Sequence, residues 1–168
     1  MIDFVQLFRG IPPQISTLLI AMTPIGELRA ALPIALGVYH LPLFSAFFWS
    51  VLGNTLPVVF LLLFLGPLSE FFMKKSAAMN RFFRWLFRRT QKKAMKDFMK
   101  YGQWALVIFV AIPLPITGAW TGSVAAFLFK IPFWRALLLN FLGILGAGLI
   151  VALISTGAFS FLDFLISR

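Results

Sequence analysis

Two apolar blocks of this chain lie 90 positions apart, and proline and glycine break each one mid-block. The first break reads Thr23-Pro24-Ile25-Gly26-Glu27-Leu28-Arg29, and Pro33 follows it. The second reads Pro113-Leu114-Pro115-Ile116-Thr117-Gly118-Ala119-Trp120-Thr121-Gly122. An unbroken apolar run follows each, beginning after a further proline at Pro42 or Pro132. Within a bilayer every backbone N–H and C=O needs a partner, so broken helix is tolerated only where it is buried in protein or lines a cavity. Broken segments at matching places in two halves mark the binding site of a transporter.

Composition places the chain in a membrane. Hydrophobic residues make up 61% of its 168 residues and charged ones 12%, against about 25% charged in an average soluble domain. A single membrane domain over 1–168 is expected. The formal net charge of +10 would point to nucleic acid in a soluble protein. Here ten of the 15 basic residues fall between Lys74 and Lys100, with only Asp97 opposing them. By the positive-inside rule that stretch is cytoplasmic, and anionic lipid headgroups explain it better than a nucleic acid, for which no recognition motif is present. The absence of cysteine excludes disulfides and thiolate chemistry, and a lone histidine builds no metal site. No cofactor and no metal are expected. Asp3 precedes Arg9 with no basic leader, which argues against a cleaved signal peptide.

The order along the chain is a duplicated one. Repeat one covers about 11–66, a basic linker about 67–101, repeat two about 102–157 and an apolar tail 158–168. Leu43 to Leu65 and Phe133 to Thr156 each have the length of a span, and Gly66-Pro67 is expected to end the first. Matches at constant offset support duplication: Ala21 with Ala111, Leu41-Pro42 with Ile131-Pro132, Ala46 with Ala136, and Leu52-Gly53 with Leu142-Gly143. In the linker, Met79, Phe82, Phe83, Leu86, Ala94 and Phe98 recur at roughly helical spacing among Lys and Arg. That is the pattern of an amphipathic helix lying on an anionic membrane surface.

Each broken block reads either as one kinked span or as a re-entrant hairpin of two half-helices. Kinked spans give four crossings. Hairpins give two full spans and two hairpins entering from opposite faces, which makes the repeats inverted. Lys130 and Arg135 flank a span end, and the hairpin reading places them inside, as the positive-inside rule prefers. Pro113 and Pro115, each removing a donor and fixing φ, suit a chain reversal better than a kink. The expected fold is therefore all-α: an inverted repeat, each half a re-entrant hairpin plus a transmembrane helix, with the basic interfacial helix between halves.

Glu27 and Arg29 are the only charged residues of repeat one. An ionisable group in a lipid span is a functional candidate by default, and a carboxylate suits a proton carrier or a cation ligand. The bland alternative is an ion pair between the two. On a regular helix, residues two apart point about 200° apart, so pairing requires a distorted turn. Arg29 suits a phosphate headgroup or the carbonyls freed by Pro24 and Pro33. Thr117, Thr121 and Ser123 suit a polar path or the plainer task of satisfying freed backbone, and Trp120 either stacks on substrate or packs. Asn54 and Asn140 are read as bonding between helices, and Gly53, Gly143, Gly146 and Gly148 as permitting close packing.

The segment Pro24-Ile25-Gly26-Glu27-Leu28-Arg29-Ala30-Ala31-Leu32-Pro33, together with Pro113 to Gly122, resembles the putative small multi-drug export protein family over nearly the whole chain. More distantly the layout is similar to the DedA, or SNARE-associated (VTT), superfamily. That likeness implies two re-entrant hairpins, proton-linked transport, translocation of lipid phosphates, and Glu27 as the embedded acid. It departs where DedA-type proteins carry arginines near the second reversal, since Thr117, Trp120 and Thr121 stand there. The primary expectation is a proton-coupled transporter of the prokaryotic cytoplasmic membrane, not an enzyme, moving an amphipathic small molecule and pairing with a second copy. A lipid or polyprenyl-phosphate translocase and a membrane-shaping protein are the alternatives.

Overall fold

The computed structural model describes residues 10–75, 80–81, 103–112 and 118–166. Its elements are helices: α1 Pro13–Met22, α2 Glu27–Gly37, α3 Leu43–Lys75, α4 Trp104–Ala111, α5 Ala119–Leu128 and α6 Phe133–Ile166. No strand occurs among the described residues. Two helices, Leu43–Lys75 and Phe133–Ala158, are long and apolar enough to cross a membrane. The basic amphipathic stretch expected in the linker lies almost wholly outside the described residues, as do Pro113, Pro115 and Thr117.

Local chemistry explains where the helices stop. Pro13 stands in the first turn of α1, where its missing N–H costs nothing. Thr23 precedes Pro24, and a residue before proline is pushed out of helical conformation; Thr23 is extended, at ψ 144°, and α1 ends there. After α2 and α5 the chain turns through left-handed residues at matching places, His40 at φ 51° and Lys130 at φ 54°. Lys130 donates its N–H to the Phe127 carbonyl at 3.0 Å and Ile131 to Ala126 at 3.0 Å, the bond pair of a Schellman cap. The first cap is one residue wider, with Leu41 N–H on the Ala35 carbonyl at 2.9 Å. Pro42 or Pro132 then accepts from Ala46 or Ala136 at 2.9 Å as the long helix opens.

The structure corrects two sequence boundaries. Helix α3 does not end at Gly66-Pro67 but continues to Lys75 with Pro57 and Pro67 inside it. An internal proline removes one N–H, at Pro67 the one that the Leu63 carbonyl would accept, and the helix runs on past that single lost bond; Ser69 Oγ separately donates to the Gly66 carbonyl at 2.8 Å. Helix α6 likewise passes Gly157 without a stop and reaches Ile166.

The chain divides into two compact units, one formed by Met1–Leu56 with Ile144–Arg168, the other by Pro57–Gly143. In the first unit α1 and α2 pack on each other, with Ile20, Ala21 and Ala31 buried between them and Ala30, Ile34 and Tyr39 against that cluster. The opening part of α3 meets α1 at Gly53: a Cβ there would overlap the Leu18 carbonyl oxygen and lie 2.8 Å from Ala21 Cβ. Gly148 of α6 admits Phe47, whose ring carbon would stand 2.7 Å from a Cβ, and Leu28. In the second unit α4 packs on α5, and Gly143 of α6 takes the place that Gly53 has in the first. A Cβ on Gly143 would lie 2.5 Å from Val110 Cβ and 3.0 Å from the Val107 carbonyl. The packing role expected for these glycines thus follows from backbone closeness at Gly53 and Gly143 and from the space that Phe47 occupies at Gly148.

Candidate functional site

The first break is a compact knot built around Thr23. Its hydroxyl donates to the Ile20 carbonyl at 2.8 Å, which Pro24 has no N–H to meet and which the Thr23 N–H also reaches at 3.1 Å, and accepts from the Gly26 N–H at 3.0 Å. Its own carbonyl accepts from the Glu27 N–H at 3.0 Å. Gly26 is required by space: a Cβ there would stand 2.6 Å from Thr23 Oγ1 and 2.8 Å from the Ile20 carbonyl oxygen. Pro24 and Ile25 are exposed at the outside of the turn, with Ile25 75% exposed.

Glu27 opens α2 in a left-handed conformation, at φ 45°. L-residues other than Gly, Asn and Asp avoid that region, and such outliers gather at functional sites. The residue is only 7% exposed. Arg29, two residues on, is half-buried. The backbone departs from regular helix at the carboxylate itself. Pro33, inside α2, has no N–H to return to the Arg29 carbonyl.

The second break carries no charge among its described residues. Gly118 adopts φ 157° and ψ −172°, a region that is essentially glycine's alone. Its carbonyl accepts from the Gly122 N–H at 2.8 Å and from Thr121 Oγ1 at 3.2 Å. Ser123, fully buried, donates its hydroxyl proton to the Ala119 carbonyl at 2.7 Å. Both described hydroxyls of this break thus donate to their own helix. Trp120 is half-buried in the first turn of α5. Gly122 lies against α6, where a Cβ would overlap Asn140 Oδ1 and come 2.5 Å from Val110 Cγ2.

The polar residues of the long helices behave differently from expectation. Asn140 is fully buried and donates Nδ2–H to the Ala136 carbonyl of its own helix at 2.8 Å, so this donor does not bridge helices. The side-chain oxygens of Asn140, Asn54 and Ser50 are buried and accept no hydrogen bond from any described residue. Ser50 was not singled out from the sequence. The available signal was its place 90 positions before Asn140, a polar residue recurring in an otherwise apolar run. No group of three His, Cys, Asp or Glu gathers among the described residues.

A family model described as "Putative small multi-drug export protein" matches residues 27–150, more than half of the chain. The matched stretch begins at Glu27 and takes in α2 to α5 and the first half of α6. No curated protein matches the chain, and no solved structure does.

Proposed function

Because the chain belongs to the small multi-drug export protein family, we propose that it is a proton-coupled transporter of the prokaryotic cytoplasmic membrane that exports an amphipathic small molecule. The observation that carries this reading is Glu27, an embedded carboxylate held in a strained turn between two helices. Helices α1 and α2 have 10 and 11 residues, about 15 Å each at 1.5 Å per residue. Neither crosses a hydrocarbon core of about 30 Å. Their side-by-side packing across a four-residue break supports a re-entrant hairpin over one kinked span.

In this reading α1 and α2 form one hairpin, and α4 and α5 the other, entering from the opposite face in an inverted repeat. Glu27 takes up and releases the proton, and Arg29 holds the carboxylate in place and steadies it between cycles. The second break offers the substrate an uncharged wall of Trp120, Thr117 and Thr121, with the buried Ser123 behind it. The basic stretch 74–100 rests on anionic headgroups of the cytoplasmic leaflet, and two copies of the chain work together.

Arg29 also suits the headgroup of a lipid or polyprenyl phosphate, and the same experiment separates that DedA-type translocase. The full-length protein is reconstituted in liposomes, and cationic dyes and labelled polyprenyl phosphates are followed with and without a pH gradient. A gradient-driven flux that Glu27→Gln abolishes supports the proton-coupled exporter. Equal flux by wild type and Glu27→Gln under the gradient removes proton coupling. Movement of the lipid probe alone, insensitive to the gradient, replaces the exporter with the translocase.

A further inference from the structure

On one face of α3, two side-chain oxygens have no donor among the described residues and one backbone oxygen lacks its helical donor. Ser50 Oγ and Asn54 Oδ1 are buried, at 0% and 3% residue exposure, and accept from no described residue. Pro57 stands inside the helix without an N–H to give to the Gly53 carbonyl. At 100° per residue, Ser50, Gly53 and Asn54 fall within about a quarter to a third of the helix circumference. Gly53 defines what that face meets, since it lies against Leu18 and Ala21 of α1. Thr55, the next hydroxyl along, is by contrast satisfied, donating to the Val51 carbonyl at 2.7 Å.

The depth of this face follows from the chain path. Helix α3 starts at the connection that follows α2, at the end of α2 opposite the 23–27 break. From Leu43 to Gly53 it advances about 15 Å, close to the length of α2. There it touches the last turns of α1, beside the break. Asn54, next to Gly53, therefore lies beside the last turns of α1, which lead into the break that carries Glu27.

We propose that Ser50 Oγ, Asn54 Oδ1 and the Gly53 carbonyl oxygen bind a sodium-sized alkali cation in the first unit. Hard cations take oxygen ligands, and in carriers, carbonyls freed by helix breaks coordinate sodium. The acceptors are neutral and the nearby Glu27 and Arg29 carry opposite charges, so the site suits one positive charge and not two. Burial behind a close glycine contact excludes an organic cation. This inference deepens the transporter reading and rests on it for its purpose, as a second ion beside the proton. The binding itself is independent of transport.

The test is thermal unfolding of the full-length protein in detergent, with sodium chloride replaced by choline chloride at constant ionic strength. A sodium-specific, saturable rise in the midpoint is expected, roughly 3–6 °C at tenfold above half-saturation. Asn54→Leu and Ser50→Ala should lose the rise, while Asn54→Asp and Thr55→Val keep it. Should the first two variants fail to fold, the wild-type titration decides alone. An equal midpoint in sodium and choline overturns the site, as does an unchanged sodium response in folded Asn54→Leu. Gradient-driven dye flux without any sodium response would sink this site and leave the exporter standing. A sodium response without any flux would do the reverse.

Discussion

Glu27 joins two unfavourable conditions at one position: a carboxylate that is 7% exposed and a backbone at φ 45°. The left-handed conformation costs an L-residue roughly 1–2 kcal/mol, and glycine avoids it. Glu27→Gly is therefore expected to unfold about 1 kcal/mol later than Glu27→Gln in chemical denaturation, while both lose gradient-driven flux. A Gly variant no more stable than the Gln variant would show that the turn is not strained. The packing glycines make the opposite prediction. Gly53→Ala and Gly143→Ala force a methyl onto the Leu18 carbonyl or Val110 Cβ, an overpacking cost of about 1–3 kcal/mol each. Gly157 lies in α6 with nothing within 4 Å of a Cβ. Gly157→Ala should match or exceed wild type by up to about 1 kcal/mol, since alanine favours helix. Melting midpoints in one detergent compare all three.

At the scale of elements, the breaks were legible in the amino-acid order and the long helices only in part. Pro24 places Thr23 outside helical space by sterics alone, so the end of α1 follows from two adjacent residues. Pro67 was a poor guide because an internal proline removes a single bond, and the rest of a long apolar helix outweighs that loss. The left-handed caps were not anticipated at all, since neither His40 nor Lys130 is the glycine that such a position favours. His40→Gly and Lys130→Gly should each raise the melting midpoint, by up to about 1 kcal/mol in stability. A valine at either place should lower it. A change at one cap without the other would mean that the two turns are not energetically alike. The hairpin reading has its own element-scale test, made simple by a chain without native cysteine. Single cysteines at His40 and Lys130 should react with a membrane-impermeant reagent from opposite faces of the bilayer. Labelling from one face would restore the kinked spans.

At the scale of the whole molecule, amino-acid order alone determined the class of structure and the positions at which it is interrupted. Composition compels helices with internally satisfied backbone, and proline removes donors wherever it stands, whatever surrounds it. The 90-residue offset in those interruptions also reappears in the helices, with α3 beginning at Leu43 and α6 at Phe133. Membership of an export family agrees with that reading. Tertiary structure decided the rest. It put Glu27 into a left-handed turn, set Gly53 and Gly143 against the short helices, and left the side-chain oxygens of Ser50 and Asn54 without donors among the described residues. None of these follows from periodicity, because nearly every side of these helices is apolar and the pattern does not say which side meets a neighbour. Burial of a polar atom and closeness of two backbones are properties of pairs of elements, and only packing brings the pairs together.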